Sequence, residues 1–124
     1  LWPETTVTLL DRGGRRVRLL RRATRVLALP NVIVAQGDAF SVANDFAGMV
    51  FRGSVKAAEA VGLASRILAE ESVAVLGLSR QETPPAHTND LIAIGQAMGM
   101  QADLLQVPSE ILDGPAWLLI MQAL

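Results

Sequence analysis

Three polar residues stand where short apolar runs end. Asp11 closes Val7-Thr-Leu-Leu, Asp38 follows Asn31-Val-Ile-Val-Ala-Gln-Gly, and Arg52 follows Gly48-Met-Val-Phe. If these runs are strands of an open α/β sheet, all three residues lie at carboxyl ends, where such sheets bind ligands. An acid after the second strand of a nucleotide-binding domain accepts hydrogen bonds from ribose hydroxyls, but an Asp ahead of a Gly pair is equally good turn and cap chemistry. In Gly37-Asp38-Ala39 the glycine lets a flat ring approach the backbone and the acid can accept from an exocyclic amine. The same three residues also make an ordinary turn. Arg52, at the end of an apolar strand, is expected to need a partner, because an unpaired buried charge is costly. Asp45 or Glu59 would be a structural partner, and a ligand carboxylate a functional one.

A charge stripe is the second candidate. Seven of the eleven basic residues fall between Arg12 and Arg25, with no acid among them. At 100° per residue, Arg15, Arg18, Arg21, Arg22 and Arg25 share one half of a helical wheel. Val17, Leu19, Leu20, Ala23, Thr24, Val26 and Leu27 share the other half, the face expected to be buried. Arg16 is the one exception and falls inside the apolar arc. Such a stripe is either a solvated face or a phosphate-binding surface, which arginine serves with its bidentate donors. Other chemistry is excluded by composition. There is no cysteine, hence no thiol catalysis, disulfide or Cys-ligated zinc, which fits a reducing compartment. His87 is the only histidine, so no multi-His metal site can form, and its Pro-containing loop is expected to be exposed. Trp117 lies in a strand and reads as core.

The elements that position these residues follow from periodicity. Strands are expected at Val7–Asp11, Asn31–Gln36, Gly48–Arg52, Ser72–Leu78, Gln101–Val107 and Ala116–Ala123, with helices over Arg15–Ala28, Val55–Glu70 and Leu91–Met98. Leu29-Pro30 stops the first helix, and Thr88-Asn89-Asp90 can cap the third, which Gly99 ends. The order β-α-β-β-α-β-α-β-β argues for a mostly parallel sheet closed by an antiparallel hairpin. With 124 residues, half of them hydrophobic, a single domain with a sizeable core is expected. No apolar run approaches the roughly 18 residues that span a bilayer, and the opening Leu-Trp-Pro-Glu-Thr-Thr does not read as a signal peptide.

Pro3-Glu4-Thr5-Thr6-Val7-Thr8-Leu9-Leu10-Asp11, followed by Gly14-Arg15-Arg16-Val17-Arg18-Leu19-Leu20-Arg21, resembles the ribosomal RNA small subunit methyltransferase G family. Phe46 to Gly53 and Val107 to Met121 resemble that family's later motifs in the same order. The resemblance implies a Rossmann-like methyltransferase sandwich, an α/β fold whose strand order is 3-2-1-4-5-7-6. It implies S-adenosylmethionine as cofactor, small-subunit ribosomal RNA as partner, a guanine N7 as methyl acceptor and a cytoplasmic location. Asp11 would face the cofactor ribose, Gly37, Asp38 and Ala39 the adenine, and Arg52 the cofactor and guanine end of the cleft; Arg15, Arg18, Arg22 and Arg25 would meet RNA phosphates. Five positions depart from the family pattern. Ala47 stands for Asp, Phe51 for Ser, Leu78-Ser79 for Lys-Gly and Ala116 for Arg. The first strand and its glycine-rich loop are not in the sequence, so residues 1–124 read as an incomplete domain that is expected to show no S-adenosylmethionine binding measurable by calorimetry on its own. Val7–Asp11 and Gly48–Arg52 would flank that strand and are expected not to pair with each other. A non-catalytic module of the same fold and a nicotinamide-dependent enzyme are the rival readings.

Overall fold

The computed structural model describes residues 3–42, 45–52 and 56–124. The chain falls into two compact units, Leu1–Val42 and Ala43–Leu124.

In the first unit, β-branched and leucine-rich runs form β1 (Val7–Asp11) and β2 (Val32–Gln36), joined by the helix α1 (Gly14–Val26). The strands pair in parallel, with Val7 opposite Val32 and Asp11 opposite Gln36. This is the β-α-β unit that the alternation of periods predicts. The helix ends where Ala28 turns left-handed at φ 51°, and the Leu27, Ala28 and Leu29 amides return to carbonyls of its last turn. The expected burial of α1 is corrected here. Of its seven apolar-arc residues, Val17 alone is buried, while Leu19, Val26 and Leu27 are 60%, 75% and 66% exposed. A two-stranded sheet is narrower than the arc, so it covers the side that carries Val17, Leu20 and Thr24 and leaves the remainder outside.

In the second unit, β3 (Phe46–Phe51), β4 (Leu68–Gly77), β5 (Met100–Val107) and β6 (Ala116–Ala123) form one sheet in the order β3-β4-β6-β5. β3 and β4 are parallel, and β6 runs antiparallel to both β4 and β5. Ala74, Leu76, Leu119, Met121 and Ala102 point to one face and are buried with Ala60, Val61, Leu63, Ala64 and Ile67 of α2 (Ala57–Ile67) and Leu91 of α3 (Thr88–Ala97). Gly95 lets α3 sit close, since a Cβ there would stand 3.3 Å from that of Ala102. A four-residue helix, α4 (Ser109–Leu112), lies in the hairpin connection that the sequence reads as loop.

Several boundaries shift. α2 ends at Ile67 and β4 begins at once, with a bulge that takes Glu71 to φ 63°; the helix-forming composition of Ala69-Glu70-Glu71 hid this. The start expected for that helix, Val55, lies outside the described residues. Thr88 is the first residue of α3 rather than its cap. Its hydroxyl donates back to the Pro85 carbonyl at 2.7 Å, and His87 holds the cap position at φ 63°. β3 begins at Phe46 and leaves Arg52 just past its end.

The two sheets read β2-β1 and β3-β4-β6-β5. The first order matches strands 3-2 and the second strands 4-5-7-6 of the expected order 3-2-1-4-5-7-6. No helix among the described residues is long and apolar enough to cross a membrane.

Candidate functional site

β1 and β2 run in the same direction, so Asp11 and the Gly37-Asp38 turn emerge side by side at their carboxyl ends. The Gly37 amide donates to the Asp11 carbonyl at 3.0 Å and carries the pairing one residue past the strands. Gln36 adds a brace, its Nε2 donating to the Arg12 carbonyl at 3.3 Å.

The Asp11 carboxylate faces away from the ladder and has two donors. The Gly13 amide reaches Oδ1 at 2.8 Å, and Arg16 Nε lies 3.0 Å from Oδ1 and 2.9 Å from Oδ2. The Arg16 hydrogen bond, the Gly13 amide and the guanidinium charge hold the carboxyl below its ordinary range, and the same contact raises Arg16. An ionised, acceptor-only carboxylate is what hydroxyl donors require. The contact also explains why Arg16 is off the stripe: it reaches back to the acid one turn before it. Sequence reasoning noted that exception without finding its cause, and the five-residue separation at a strand-to-helix turn was the available signal.

Asp38 is exposed, and its Oδ1 accepts from the Phe40 amide at 3.0 Å, capping a single 3₁₀ turn over Ala39–Ser41. Its bland turn role is therefore real, and Oδ2 has no hydrogen bond among the described residues. Gly37 is different. Its φ is not positive, and a Cβ there would meet only Leu10 Cδ1, at an ordinary 3.8 Å. Neither backbone nor packing demands glycine at this position, which suits close approach by a flat ligand.

Arg52 belongs to the second unit and is exposed. The expectation that it needs a partner against burial is corrected: the strand ends at Phe51, which is buried, and Arg52 lies beyond it in solvent. Arg15, Arg18, Arg21, Arg22 and Arg25 are all exposed, and no ion pair joins them among the described residues. His87 is exposed as expected and pairs with Asp90 at 3.2 Å. Trp117 is buried as expected, its Nε1 donating to the Gln81 carbonyl at 2.9 Å. Among the described residues no three His, Cys, Asp or Glu side chains converge as a metal site. A shallow depression bounded by Thr24, Arg25, Ala28, Leu29, Pro30 and Val32 lies at the opposite end of β2 from Asp38.

No protein-family model matches the sequence, and no curated protein does. Solved structures do match in shape. Precorrin-6y C5,15-methyltransferase from Geobacter metallireducens is similar over 98% of this chain and 69% of its own, at a TM-score of 0.73 and 14% identity. The fold is Rossmann-like, of the methyltransferase type. Aeropyrum pernix fibrillarin, in complex with natively bound S-adenosyl-L-methionine, matches over 92% of this chain and 54% of its own, with a TM-score of 0.69 and 15% identity. The [4+2]-cyclase SpnF matches over 96% and 66%, with a TM-score of 0.70 and 12% identity. The chain thus spans between about half and about two thirds of these proteins.

Proposed function

We propose that the chain is the greater part of an S-adenosylmethionine-dependent methyltransferase domain that acts on guanine N7 of small-subunit ribosomal RNA. The observation that carries the cofactor reading is the pair of adjacent carboxyl ends, Asp11 on β1 and Gly37-Asp38 on β2. The residues fit the cofactor's nucleoside. Asp11 offers an ionised carboxylate to the ribose hydroxyls, Gly37 leaves room at the backbone for the adenine, and Asp38 and Ala39 border it. Arg52 is assigned to the cofactor and guanine end by the resemblance alone. S-adenosylmethionine bound to such a domain supplies an electrophilic methyl group, and guanine N7 carries its own lone pair, so no general base is required. The protein's work is then positioning.

The RNA reading rests on the resemblance and on Arg15, Arg18, Arg22 and Arg25 of α1, which are exposed and form no ion pair among the described residues. Replacing Arg18, Arg22 and Arg25 together by Glu is expected to weaken binding of a 16S rRNA fragment and to flatten its salt dependence. An unchanged slope of log affinity against log salt would leave α1 as a solvated face. The acceptor itself is tested by methyl transfer from labelled cofactor to unmodified 16S rRNA, read as 7-methylguanosine after nuclease digestion. Label in another base rejects guanine N7.

A second reading, a non-catalytic module, has one observation in its favour. Phe51 and Ala116, which stand for polar residues of the resembling family, are both buried in the core of the second unit. An inactive chain that still binds the cofactor would support it.

A further inference from the structure

Arg16 occupies the part of Asp11 that a ribose would use. Its Nε is nearly equidistant from the two carboxylate oxygens, at 3.0 and 2.9 Å, and therefore lies on the bisector between them. Vicinal hydroxyls approach a carboxylate through that same mouth, one O–H to each oxygen. Nε and a cis-diol cannot fill it together. The Gly13 amide holds Oδ1 independently, so the carboxylate stays in place when the guanidinium leaves.

We propose that Arg16 is a specificity-determining latch on Asp11: a ligand carrying a ribose cis-diol enters by displacing Arg16 Nε, and the ease of that displacement sets the affinity of the site for nucleosides. This rests on the ribose reading of Asp11 given above. The latch is built to yield. The Arg16 side chain is 69% exposed, so water solvates the guanidinium as it swings out, while Asp11 is 25% exposed and remains seated. Exposed ion pairs contribute little and are weakened by salt, so Arg16 tunes the site and does not seal it.

Gly13 is the second part of the device. The guanidinium lies over it so closely that a Cβ would stand 3.1 Å from Nη2 and 3.2 Å from Cζ. Its own backbone, at φ −78° and ψ 116°, is open to any residue. Gly13→Ala therefore pushes the latch sideways with no change in charge, and Arg16→Gln removes the ion pair outright.

The test is an amide-resolved NMR titration of the 124-residue chain with adenosine and with 2′-deoxyadenosine, which lacks one hydroxyl of the diol. Arg16→Gln is expected to tighten adenosine about two- to fivefold, and Gly13→Ala to shift it in the same direction. The gain for 2′-deoxyadenosine is expected to be smaller, and added salt should tighten adenosine on the wild type but not on Arg16→Gln. Unchanged or weaker adenosine binding in Arg16→Gln overturns the latch, as does an equal gain for both nucleosides, which only a general charge effect would give. Asp11→Asn separates the two levels. Loss of adenosine binding there upholds the ribose reading whatever Arg16 does, and unchanged binding overturns that reading and the latch together.

Discussion

The acid at the end of β1 joins chemistry that the sequence kept apart. Asp11 was legible as a strand-end carboxylate, with turn and ligand roles both open, and Arg16 as a charge on the wrong side of a wheel. Neither feature alone points to the other, because the wheel describes a straight helix while the contact crosses the turn that precedes it. The pair has a measurable signature. Asp11 is held below its ordinary value of 3.8, so its contribution to stability is complete above that value and is lost as pH falls through the lowered one. A carboxyl-carbon NMR titration should place Asp11 below 3.8 in the wild type and move it upward in Arg16→Gln. An Asp11 that titrates identically in both proteins would mean that the contact is not made in solution.

Arg52 shows the opposite outcome at the same scale. Its position after an apolar strand suggested burial, but the strand stops one residue short and the guanidinium is exposed. Arg52→Ala is therefore expected to change folding stability by no more than about 0.5 kcal/mol. Chemical denaturation that shows a loss of several kcal/mol would restore a structural partner for it.

Elements with a clean period were readable, and those whose limits depend on tertiary support were not. β1, β2, β5 and β6 fall within a residue or so of their expected spans, because alternating or continuous β-branched runs end at Gly, Pro or Asp. The α2–β4 junction was misread, since Ala69-Glu70-Glu71 favours helix locally and only the sheet draws it into a bulge. For α1 the period was right and the burial was not. Half of the apolar arc has no cover among the described residues of its unit, and this divides the helix energetically. Val17→Ala, at a fully buried position, is expected to cost about 1.5–3 kcal/mol. Leu19→Ala, at a largely exposed one, should change stability by no more than about 0.5 kcal/mol. Equal losses in urea unfolding would show that the outer face of α1 is covered.

At the scale of the molecule, order was legible and substrate was not. Alternating strands and helices gave the class, and the β2-β1 and β3-β4-β6-β5 orders agree with the methyltransferase arrangement taken from the resemblance. Charge is divided just as sharply. The first unit carries seven arginines against three acids, and the second carries nine acids against four basic residues. A fold of this type serves proteins as different as precorrin-6y C5,15-methyltransferase and the [4+2]-cyclase SpnF, so shape alone leaves the chemistry open. The chemistry has to be argued from the carboxyl ends of β1 and β2.

The most direct measurement is therefore a titration of the labelled chain with S-adenosylhomocysteine, followed amide by amide. Binding in roughly the millimolar range is expected, with the largest shifts at Asp11, Gly13, Gly37 and Phe40, and with those shifts abolished in Asp11→Asn. Shifts confined to other residues, such as the Thr24 to Val32 depression, or none at all at high ligand concentration, would contradict the assignment of this strand-end acid to a nucleoside cofactor.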